Sequence, residues 1–547
     1  MLDIGHKSMP SVMTHSFSRV PQANIPRSQF KRLFRHTTCL NADYLVPVLA
    51  EEILPGDTVD MSFDAIVRWL TPLAPTMDNL YCDLFYFYCP NRLVQTNWVK
   101  LMGEQDDPAD SIDFTTPYFD TTATTGFVGP TDFSALDATD ETALLFDYLD
   151  IPMGVPDLRV NTHVHRMYNL IWNEWFRDQN LQDSVTVDMD DGPDTPTDYK
   201  LLKRGKRHDY FTSCLPWPQK GTAETISIGT SAPVKGIAVF DTATYSSNET
   251  SKHESGAVDA QSGDWQATSA NTWILEDSSN ANYPNIYADL TAATGFTIDA
   301  LYQSVAIQRL LLNDARGGTR YTELVRAHFG VTSPDSRLQR PEYLGGGSYP
   351  IQIAPLAQTS ETSGSNELGQ LAATATGLIN AARFVKSFVE HGWLICLMNI
   401  RADLTYSQGL PRKYSRSTRY DYYFPELANL GEQSVLNKEL WAQGSADATA
   451  DAATFGYQER WAEYKYGKAM MTSRMRPDDA NSLDLWHLSE DFATIPSLNA
   501  AFITPNTPIA RASTVTTEPH FIADIQARST WTRPMPLYSV PGLQNRF

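Results

Sequence analysis

Apolar side chains occupy every second position from Val59 to Trp69, and four of the five intervening residues are polar. Successive side chains of a β-strand point to opposite faces of a sheet, so this alternation predicts a strand with one buried face. The stretch from Leu80 to Cys89 is apolar at almost every position and precedes Pro90, which predicts a strand buried on both faces. Two such strands need a second layer to cover them, which favours a β-sandwich.

Strand patterns recur near the other end of the chain, at Trp393–Ile400 and Phe521–Arg528. Between the two sets, helical spacing of apolar residues predicts helices at 161–178, from Ile298 onward, and at 319–329. The length of 547 residues alone suggests two or three domains. Because strands lie at both ends and helices and long loops lie between them, we predict instead one antiparallel sandwich that carries large insertions.

The chain carries 43 Lys and Arg against 64 Asp and Glu, a formal net charge of −21 at pH 7. Binding phosphates without base specificity requires clustered cations, so this balance excludes a protein that coats polyanions over its whole surface. Cations are concentrated in residues 1–40 and 200–207, whereas residues 101–150 and 221–300 are strongly acidic. We therefore predict that any contact with nucleic acid is local.

Two basic segments are candidates for that contact. Residues 1–40 form a basic, extended arm in which prolines interrupt any helix, and residues 200–207 hold five cations. The alternative for residues 1–40 is a strand-like arm packed on a neighbouring molecule. The alternatives for residues 200–207 are a solvated loop and a salt-bridge patch between subunits. The residues predicted to face nucleic acid are Arg19, Arg27, Lys31, Arg32, Lys203, Arg204, Lys206 and Arg207.

Arginine and tyrosine are interleaved between Arg412 and Tyr423. Such residues stack on bases and neutralise phosphates in proteins that bind single strands. The same residue types are enriched at protein–protein interfaces, and we favour an interface here. The predicted interface residues are Arg412, Tyr414, Arg416, Arg419, Tyr420 and Tyr422.

The sequence contains no clear signature of catalysis. It has no phosphate-binding G-x-x-x-x-G-K-[ST] motif, and Pro350 occupies the last position of a stretch that approaches a nucleophile elbow. His163 and His165 are two residues apart and point in different directions on a helix, which favours a surface or capping role over a metal site. We predict no enzymatic activity and no cofactor, although the many acids would permit a bound divalent cation.

Compartment signals are consistent with a cytosolic protein. The five cysteines are widely spaced without a C-x-x-C motif, which predicts reduced thiols in the core. The N-terminus has no apolar core of a signal peptide, and no stretch is long and apolar enough to span a bilayer. We therefore predict no membrane insertion.

Residues 221–300 are rich in Ser, Thr, Ala, Asn and Gly and show little periodicity. A loop-like segment of this length inside a domain is usually functional or a subdomain in its own right. We interpret it as an insertion at the surface. The candidates for its tip are Asp264, Trp265 and Trp273.

Short segments in a fixed order along nearly the whole chain are similar to those of one known family. They include Ser18–Pro21, Leu54–Asp57, Tyr168–Asn180, Arg207–Ser213, Arg340–Gly346, Arg416–Tyr422 and Pro541–Leu543. The ordered set resembles the major capsid protein of Microviridae bacteriophages, in the gokushovirus branch. This resemblance implies a mainly β fold, an eight-stranded antiparallel jelly roll with long loop and helical insertions, in which residues 41–547 form one domain after the arm at 1–40.

The resemblance also implies a function. Copies of the chain would form a T=1 icosahedral shell around circular single-stranded DNA, and the insertion at 221–300 would form protrusions at the threefold axes for host attachment. The implied partners are other copies of the chain, the viral DNA, a small basic DNA-binding protein, a minor pilot or vertex protein, an internal scaffolding protein and a host cell surface receptor. The chain would reside in the virion after assembly in the cytoplasm of the bacterial host.

Two other classes of function remain as alternatives. Aromatic residues combined with acids also suit a carbohydrate-binding or carbohydrate-active β-sandwich protein, which would require export that this N-terminus does not support. A cytosolic single-strand DNA-binding protein is the third interpretation, and the net charge of −21 opposes it.

Overall fold

Eight strands from distant parts of the chain pair into one antiparallel sheet. Their bounds are Ser28–Leu40 (β1), Val46–Ile53 (β2), Thr58–Trp69 (β3), Leu80–Pro90 (β4), Glu342–Ala357 (β5), Leu371–Ser387 (β6), Gly392–Ala402 (β7) and Phe521–Arg533 (β8). Their order across the sheet is β1-β8-β3-β6-β5-β4-β7-β2. This is jelly-roll topology, with a front layer of β1, β8, β3 and β6 and a back layer of β5, β4, β7 and β2, so the predicted fold class is confirmed.

The structure is a computed structural model that describes residues 26–119, 141–152, 158–221, 298–317, 321–330, 339–357, 371–516 and 518–538, together with Thr359, Gly369 and five short strands between 234 and 288. The five strands are Val234–Lys235, Ile237–Val239, Ser251–Lys252, Thr272–Leu275 and Tyr287–Ala288.

The alternation in β3 places one face of the front layer in the core. Val59, Phe63, Val67 and the other apolar residues of β3 are buried, while the intervening polar residues lie on the outer face. β8 repeats this pattern beside it, because its register pairs Phe521 with Trp69. A strict period of two therefore fixes which face of each strand meets the opposite layer.

Aromatic side chains of β4 join the back layer to the front layer. The ring of Tyr86 lies 6.3 Å from that of Phe63 and 4.8 Å from that of Phe384, centroid to centroid. The Tyr86 hydroxyl donates a hydrogen bond to the carbonyl of Ala382 at 3.2 Å, which satisfies its polar end within the core. The Tyr88 and Phe388 rings make a similar contact at 4.5 Å.

The opposite face of β4 is covered by a helix, which explains why this strand is apolar on both faces. Helix α1 spans His163–Ile171 and continues into a π-helical turn at Trp172–Phe176. The ring of Phe176 lies 5.3 Å from that of Phe85 and 5.8 Å from that of Phe87. The helix predicted over 161–178 is confirmed in position, and its last turn is π-helical rather than α-helical.

The two edges of the sheet, β1 and β2, are joined by side chains. Arg32 on β1 makes a bidentate ion pair with Glu51 on β2, with both N–O distances at 2.8 Å. His36 Nδ1 lies 3.0 Å from the carbonyl oxygen of Val48. Polar contacts therefore occupy a gap in which the two edges have no backbone ladder.

Part of the predicted N-terminal arm belongs to the sheet. Residues 28–40 form β1 and pair with β8 over its full length. The apolar pattern of the sequence did not predict this strand, because it lies at an edge of the sheet, where side chains on both faces remain partly exposed. The assignment of residues 28–40 to an arm is therefore corrected, while residues 1–25 lie outside the described residues.

Close packing of β5 on β4 depends on glycine. A Cβ atom on Gly346 would lie 2.0 Å from the Leu84 carbonyl oxygen, so no side chain fits there without moving the backbone. The pairing between these strands shifts between Tyr343 and Gly345, where Gly345 has φ of +144°. The glycine-rich sequence that looks like a loop is thus part of a bulged strand.

Other short elements pack around the jelly roll. Further helices span Trp98–Leu101, Glu141–Tyr148, Asn437–Leu440, Ala448–Ala452, Ala462–Lys465, Ala500–Ile503 and Ile509–Ala512. Further strand pairs are Tyr118–Phe119 with Val160–Asn161, and Glu432–Leu436 with Thr454–Glu459. The short 3₁₀ turns are Asn91–Leu93, Pro196–Asp198, Arg412–Tyr414, Arg419–Asp421, Pro425–Leu427, Gly444–Ala446, Ser473–Met475 and Asp484–Trp486.

A second apolar core forms between the segment around Phe211 and the chain after β7, which includes Tyr406, Phe455 and Phe502.

The chain divides into two compact units, Met1–Pro216 with Pro334–Phe547, and Trp217–Ser333. The first unit contains the jelly roll. The second contains helices α2, Ile298–Arg316, and α3, Tyr321–Phe329, together with the five short strands. The predicted insertion limits of 221–300 stay a prediction, since most of that segment lies outside the described residues.

We expect Phe63→Ala to lower the free energy of unfolding of the isolated subunit by about 3–5 kcal/mol, because it leaves a cavity beneath Tyr86. Leu378→Ala is the matched control, since Leu378 lies on the outer face of the same layer with 61% of its surface exposed. The control should change stability by less than about 0.5 kcal/mol. Equal effects in urea denaturation would contradict the layer assignment.

Candidate functional site

The basic residues predicted on the N-terminal arm have different surroundings. Arg32 is occupied by Glu51, and its guanidinium also lies 5.3 Å from the centre of the Trp531 ring. Arg27 donates hydrogen bonds to the Gly56 carbonyl and to Thr58 Oγ1. Lys31 is exposed on β1, and Arg19 lies outside the described residues. Arg27 and Lys31 are thus exposed cations, whereas the charge of Arg32 is paired.

The cations of the predicted basic cluster at 203–207 contact aromatic rings and carboxylates of the same chain. Lys203 Nζ lies 5.0 Å from the centre of the Tyr44 ring. Arg204 forms an ion pair with Asp83 and stacks 4.8 Å from the centre of the Phe85 ring. These contacts attach the loop to the outer face of β4.

The next two cations of the cluster are also paired. Lys206 is buried, with its Nζ atom 2.6 Å from Glu490 Oε1. Arg207 lies 3.0 Å from Asp403 and packs over the ring of Tyr81. The cluster thus fixes a loop to the barrel, and its contact with nucleic acid stays a prediction.

Asp83 is the centre of this network. The side chain is buried on β4, and it pairs with Arg204 and with Arg401 of β7, the latter at 2.8 Å. Burial and the nearby Arg204 guanidinium lower the pKa of Arg401 to about 10. Burial also lowers the pKa of Arg204. One carboxylate therefore neutralises two closely spaced arginines.

A cavity of about 160 Å³ lies beside this network, lined in part by Arg204, Arg207, Arg401 and Asp403. Each of the three arginines already has a carboxylate partner. The cavity therefore contains balanced charges rather than an uncompensated positive site.

The two histidines of α1 are buried, so the predicted surface or capping role is wrong. His163 Nε2 lies 2.9 Å from Gln95 Oε1, and burial lowers the pKa of His163 to about 4. His165 packs against the rings of Phe119 and Phe146, and burial lowers its pKa to about 3. Both side chains are therefore neutral core residues at physiological pH.

A group of exposed tyrosines covers the region predicted as an interface. Tyr414 and Tyr420 are 68% and 70% exposed. We define the tyrosine surface as Tyr414, Tyr420, Tyr422, Tyr423, Tyr464 and Tyr466, all of which are exposed. Its two chain segments meet at Arg416, whose guanidinium lies 5.4 Å from the ring centre of Tyr422 and 4.4 Å from that of Tyr464. Exposed apolar patches on soluble proteins mark interaction sites.

Two of the cations beneath the tyrosine surface pair with carboxylates of the same chain. Arg412 pairs with Glu439 at 2.9 Å, and Arg416 pairs with Glu463 at 3.4 Å. Arg419 lies over the Phe424 ring. Exposed Lys413 lies over the Tyr414 ring in the same segment. The surface therefore combines exposed tyrosines with arginines, a composition enriched at protein interfaces.

The turn that carries Tyr420 and Tyr422 is held by Asp421. Its carboxylate accepts hydrogen bonds from the backbone N–H groups of Ser417 and Thr418 and from the Thr418 hydroxyl. Those bonds lower the pKa of Asp421 to about 2. Tyr464 and Tyr466 were not predicted as interface residues, because a Tyr-x-Tyr pair has no distinctive sequence signal.

The predicted tip residues of the insertion lie mostly beyond what the structure describes. Asp264 and Trp265 lie outside the described residues. Trp273 is part of the strand Thr272–Leu275, which pairs with Ile237–Val239 and Ser251–Lys252 in a three-stranded sheet. Their role at a tip stays a prediction.

The described residues offer neither a metal site nor a membrane-spanning helix. No group of three or more His, Cys, Asp and Glu side chains in this part of the chain is placed to hold a metal ion. No described helix is long and apolar enough to cross a membrane. The prediction about divalent cations remains untested.

A jelly roll of this topology is an architecture found in viral shell subunits. Comparison with protein families gives a match to "Capsid protein (F protein)" over residues 18–543. The chain belongs to this capsid protein family.

Individual relatives agree with the family. The chain is 42% identical to capsid protein VP1 of Bdellovibrio phage phiMH2K over 545 residues, 97% of this chain and 98% of that protein. It is 38% identical to capsid protein VP1 of Chlamydia phage 1, covering 98% and 99% of the two chains. It is 33% identical to capsid protein VP1 of Spiroplasma virus 4, covering 97% and 98%.

These matches confirm the resemblance to Microviridae major capsid proteins. The chain is a structural capsid protein of a bacteriophage rather than an enzyme, since its relatives are named as capsid proteins. The finding favours the capsid prediction over the carbohydrate-binding alternative.

We expect Asp83→Asn to lower the free energy of unfolding by about 3–5 kcal/mol, because two largely buried arginines lose their counter-charge. Asp524→Asn is the matched control, since Asp524 pairs with Arg35 at 3.0 Å on the exposed outer face of the front layer. The control should leave stability nearly unchanged, because solvent screens exposed pairs. If both variants unfold at the same urea concentration, the Asp83 network does not stabilise the fold.

Proposed function

We propose that copies of this chain form a T=1 icosahedral shell that encloses a circular single-stranded DNA genome. Membership of the capsid protein family supports self-assembly and location in the virion. The T=1 geometry and the circular single-stranded DNA genome are what the resemblance to Microviridae capsid proteins implies, and the surfaces and charges of the chain support contacts between copies and a separate basic partner. We further propose that assembly takes place in the cytoplasm of a bacterial host.

The tyrosine surface is the observation that carries the self-assembly proposal. Each copy has a net charge of −21, so copies repel one another unless they meet where charge is low. The tyrosine surface has no excess of acids, because Glu439 and Glu463 pair with Arg412 and Arg416, and the exposed Lys413 and Arg419 add positive charge. Tyrosine and arginine also dominate the energetic centres of protein interfaces. We therefore assign this surface to a contact between neighbouring copies.

The charge distribution supports a separate basic partner for the genome. Arg204, Lys206 and Arg207 are engaged by carboxylates of the same chain. An acidic shell with few free cations cannot neutralise the phosphates it encloses. We propose that a small basic DNA-binding protein supplies that charge, and that exposed cations such as Lys31 add local contacts.

The remaining proposals concern the outside of the shell and its assembly. The weakly patterned segment 221–300 would form protrusions at the threefold axes, with Asp264, Trp265 and Trp273 near the tip, and these would contact a host cell surface receptor. A minor pilot or vertex protein and an internal scaffolding protein would complete the set of partners.

Electron microscopy of purified particles tests the shell proposal. We expect icosahedral particles with one chain in each asymmetric unit and nuclease-protected circular single-stranded DNA inside. A chain that stays monomeric under every assembly condition, or particles that protect double-stranded DNA, would overturn it. Protein analysis of the same particles tests for the basic partner.

The tyrosine surface gives a second test. We expect the double variant Tyr420→Ser/Tyr422→Ser to lower particle yield by about tenfold or more, because interface tyrosines each contribute about 2 kcal/mol when they are energetic centres. The thermal stability of the free subunit should be unchanged. Tyr538→Ser is the control, because Tyr538 is also highly exposed but lies outside the tyrosine surface. Normal particle yield from the double variant would remove this surface from the assembly contacts.

A further inference from the structure

The outer face of the front layer is basic, although the chain as a whole has a formal net charge of −21. We call this surface the front face and define it by the outward side chains of β1, β8, β3 and β6. Its acids are Asp60, Asp64 and Asp524. Its cations are Lys31, Arg35, Arg68, Arg383 and Arg528. Positive charge therefore exceeds negative charge on this surface.

Each acid of the front face is paired with an arginine of a neighbouring strand. The pairs are Arg35 with Asp524, Arg383 with Asp60 and Arg528 with Asp64. In the first two pairs the carboxylate accepts hydrogen bonds from Nε and Nη2, at N–O distances between 2.7 and 3.1 Å. Those bonds leave the N–H groups of Nη1 for a further acceptor, because a guanidinium has five N–H donors.

The two remaining cations, Lys31 and Arg68, are exposed and make no ion pair with another described residue. Lys31 lies opposite Thr530 and Arg68 lies opposite Ile522 in the pairing with β8. At about 3.3 Å per residue, these two levels of the sheet are about 26 Å apart. The unpaired charge is thus spread over a length that several nucleotides of a single strand can follow.

Apolar side chains protrude between the cations of the front face. Leu33 is 67% exposed, Leu378 and Val385 are both 61% exposed, and Ile66 and Ile522 are also exposed. No element in the described part of the chain covers them. The faces of unpaired bases can lie on such side chains, whereas a duplex keeps those faces stacked inside. The mixture of cations and apolar residues therefore fits a single strand better than a duplex.

We propose that the front face contacts the single-stranded DNA that the shell encloses, with its cations on phosphates and its apolar side chains on bases. The inference rests on the proposed enclosure of a single-stranded DNA genome, and it adds the surface and the residues that meet it. The sequence predicts Lys31 to face nucleic acid, and the fold adds Arg35, Arg68, Arg383 and Arg528. These arginines are far apart in the sequence, so only strand pairing brings them onto one surface.

Charge complementarity favours DNA over the protein partners proposed for this chain. Phosphates are attracted to a surface on which cations outnumber acids. A small basic protein would be repelled by the same cations. A neighbouring copy of this chain is the competing occupant, since its acids could meet the front face, and cross-linking separates the two.

Photo-cross-linking inside assembled particles tests the inference. Leu33 and Leu378 are replaced one at a time by p-benzoylphenylalanine, which bonds covalently to neighbouring C–H groups under ultraviolet light. Leu430 is the matched control, because this leucine is 55% exposed but lies outside the strands of the jelly roll. After irradiation, adducts are assigned to DNA by nuclease digestion or to a second chain by mass spectrometry.

We expect about tenfold more DNA adduct at Leu33 and Leu378 than at Leu430, because the cations of the front face hold the strand nearby. Equal yields at the three positions, or adducts mainly to a second capsid chain at Leu33 and Leu378, would overturn the inference and leave the shell proposal standing. If neither probe variant assembles although its free subunit folds, copies bury the front face against one another, and the inference is again wrong. If wild-type particles contain no single-stranded DNA, the proposed function fails and the inference falls with it.

The double variant Lys31→Gln/Arg68→Gln, combined with the probe at Leu378, tests the role of charge. We expect about threefold less DNA adduct, because exposed charge contacts are individually weak and two of them are lost. Arg474→Gln/Arg476→Gln is the control, since both arginines are exposed but lie outside the front face, and it should leave the yield unchanged. An unchanged yield from the Lys31 and Arg68 variant would overturn the inference, because the contact would then not depend on the cations of this surface.

Discussion

The packing of Tyr86 between Phe63 and Phe384 is the contact on which the rest of this capsid subunit depends. It joins the two layers of the jelly roll, and it satisfies its own hydroxyl at the Ala382 carbonyl. Once the layers are joined, other elements of the chain can pack on their outer faces. Helix α1 covers the back layer through Phe85 and Phe87, and the loop at 203–207 is attached beside it through Asp83. The long connections can then vary without disturbing the core.

The electrostatic organisation follows from the same scaffold. The cations that the sequence concentrates at 203–207 are used to fix a loop, because a buried carboxylate on β4 and others nearby attract them. The arginines at 412 and 416 likewise support a surface instead of carrying free charge. In the proposed assembly, neighbouring copies of this acidic protein would meet at this surface. The genome would then require its cations from elsewhere, which links the subunit's charge pattern to the composition of the particle.

Strands marked by large apolar side chains were predictable from the sequence, and strands built from small residues were not. β3, β4, β7 and β8 follow from their patterns because large apolar side chains mark the buried face. β5 and β6 escaped detection, since glycine at 345–347 and small residues at 372–377 give little hydrophobic contrast, and only pairing with β4 and β3 makes them strands. The tyrosines between 414 and 422 were predicted as an interface, which remains a prediction, and the structure adds Tyr464 and Tyr466 through the contact with Arg416.

The sequence by itself determined that the protein is a β-sandwich with insertions, that its charge is unevenly distributed, and that its ordered motifs match a capsid family. These properties depend on local periodicity, composition and the order of segments along the chain. The tertiary structure decided which charges remain free, because an ion pair such as Lys206 with Glu490 joins residues far apart in sequence. It also placed His163 and His165 in the core and residues 28–40 in the sheet. Burial and pairing depend on the three-dimensional neighbours of a side chain, which no local pattern specifies.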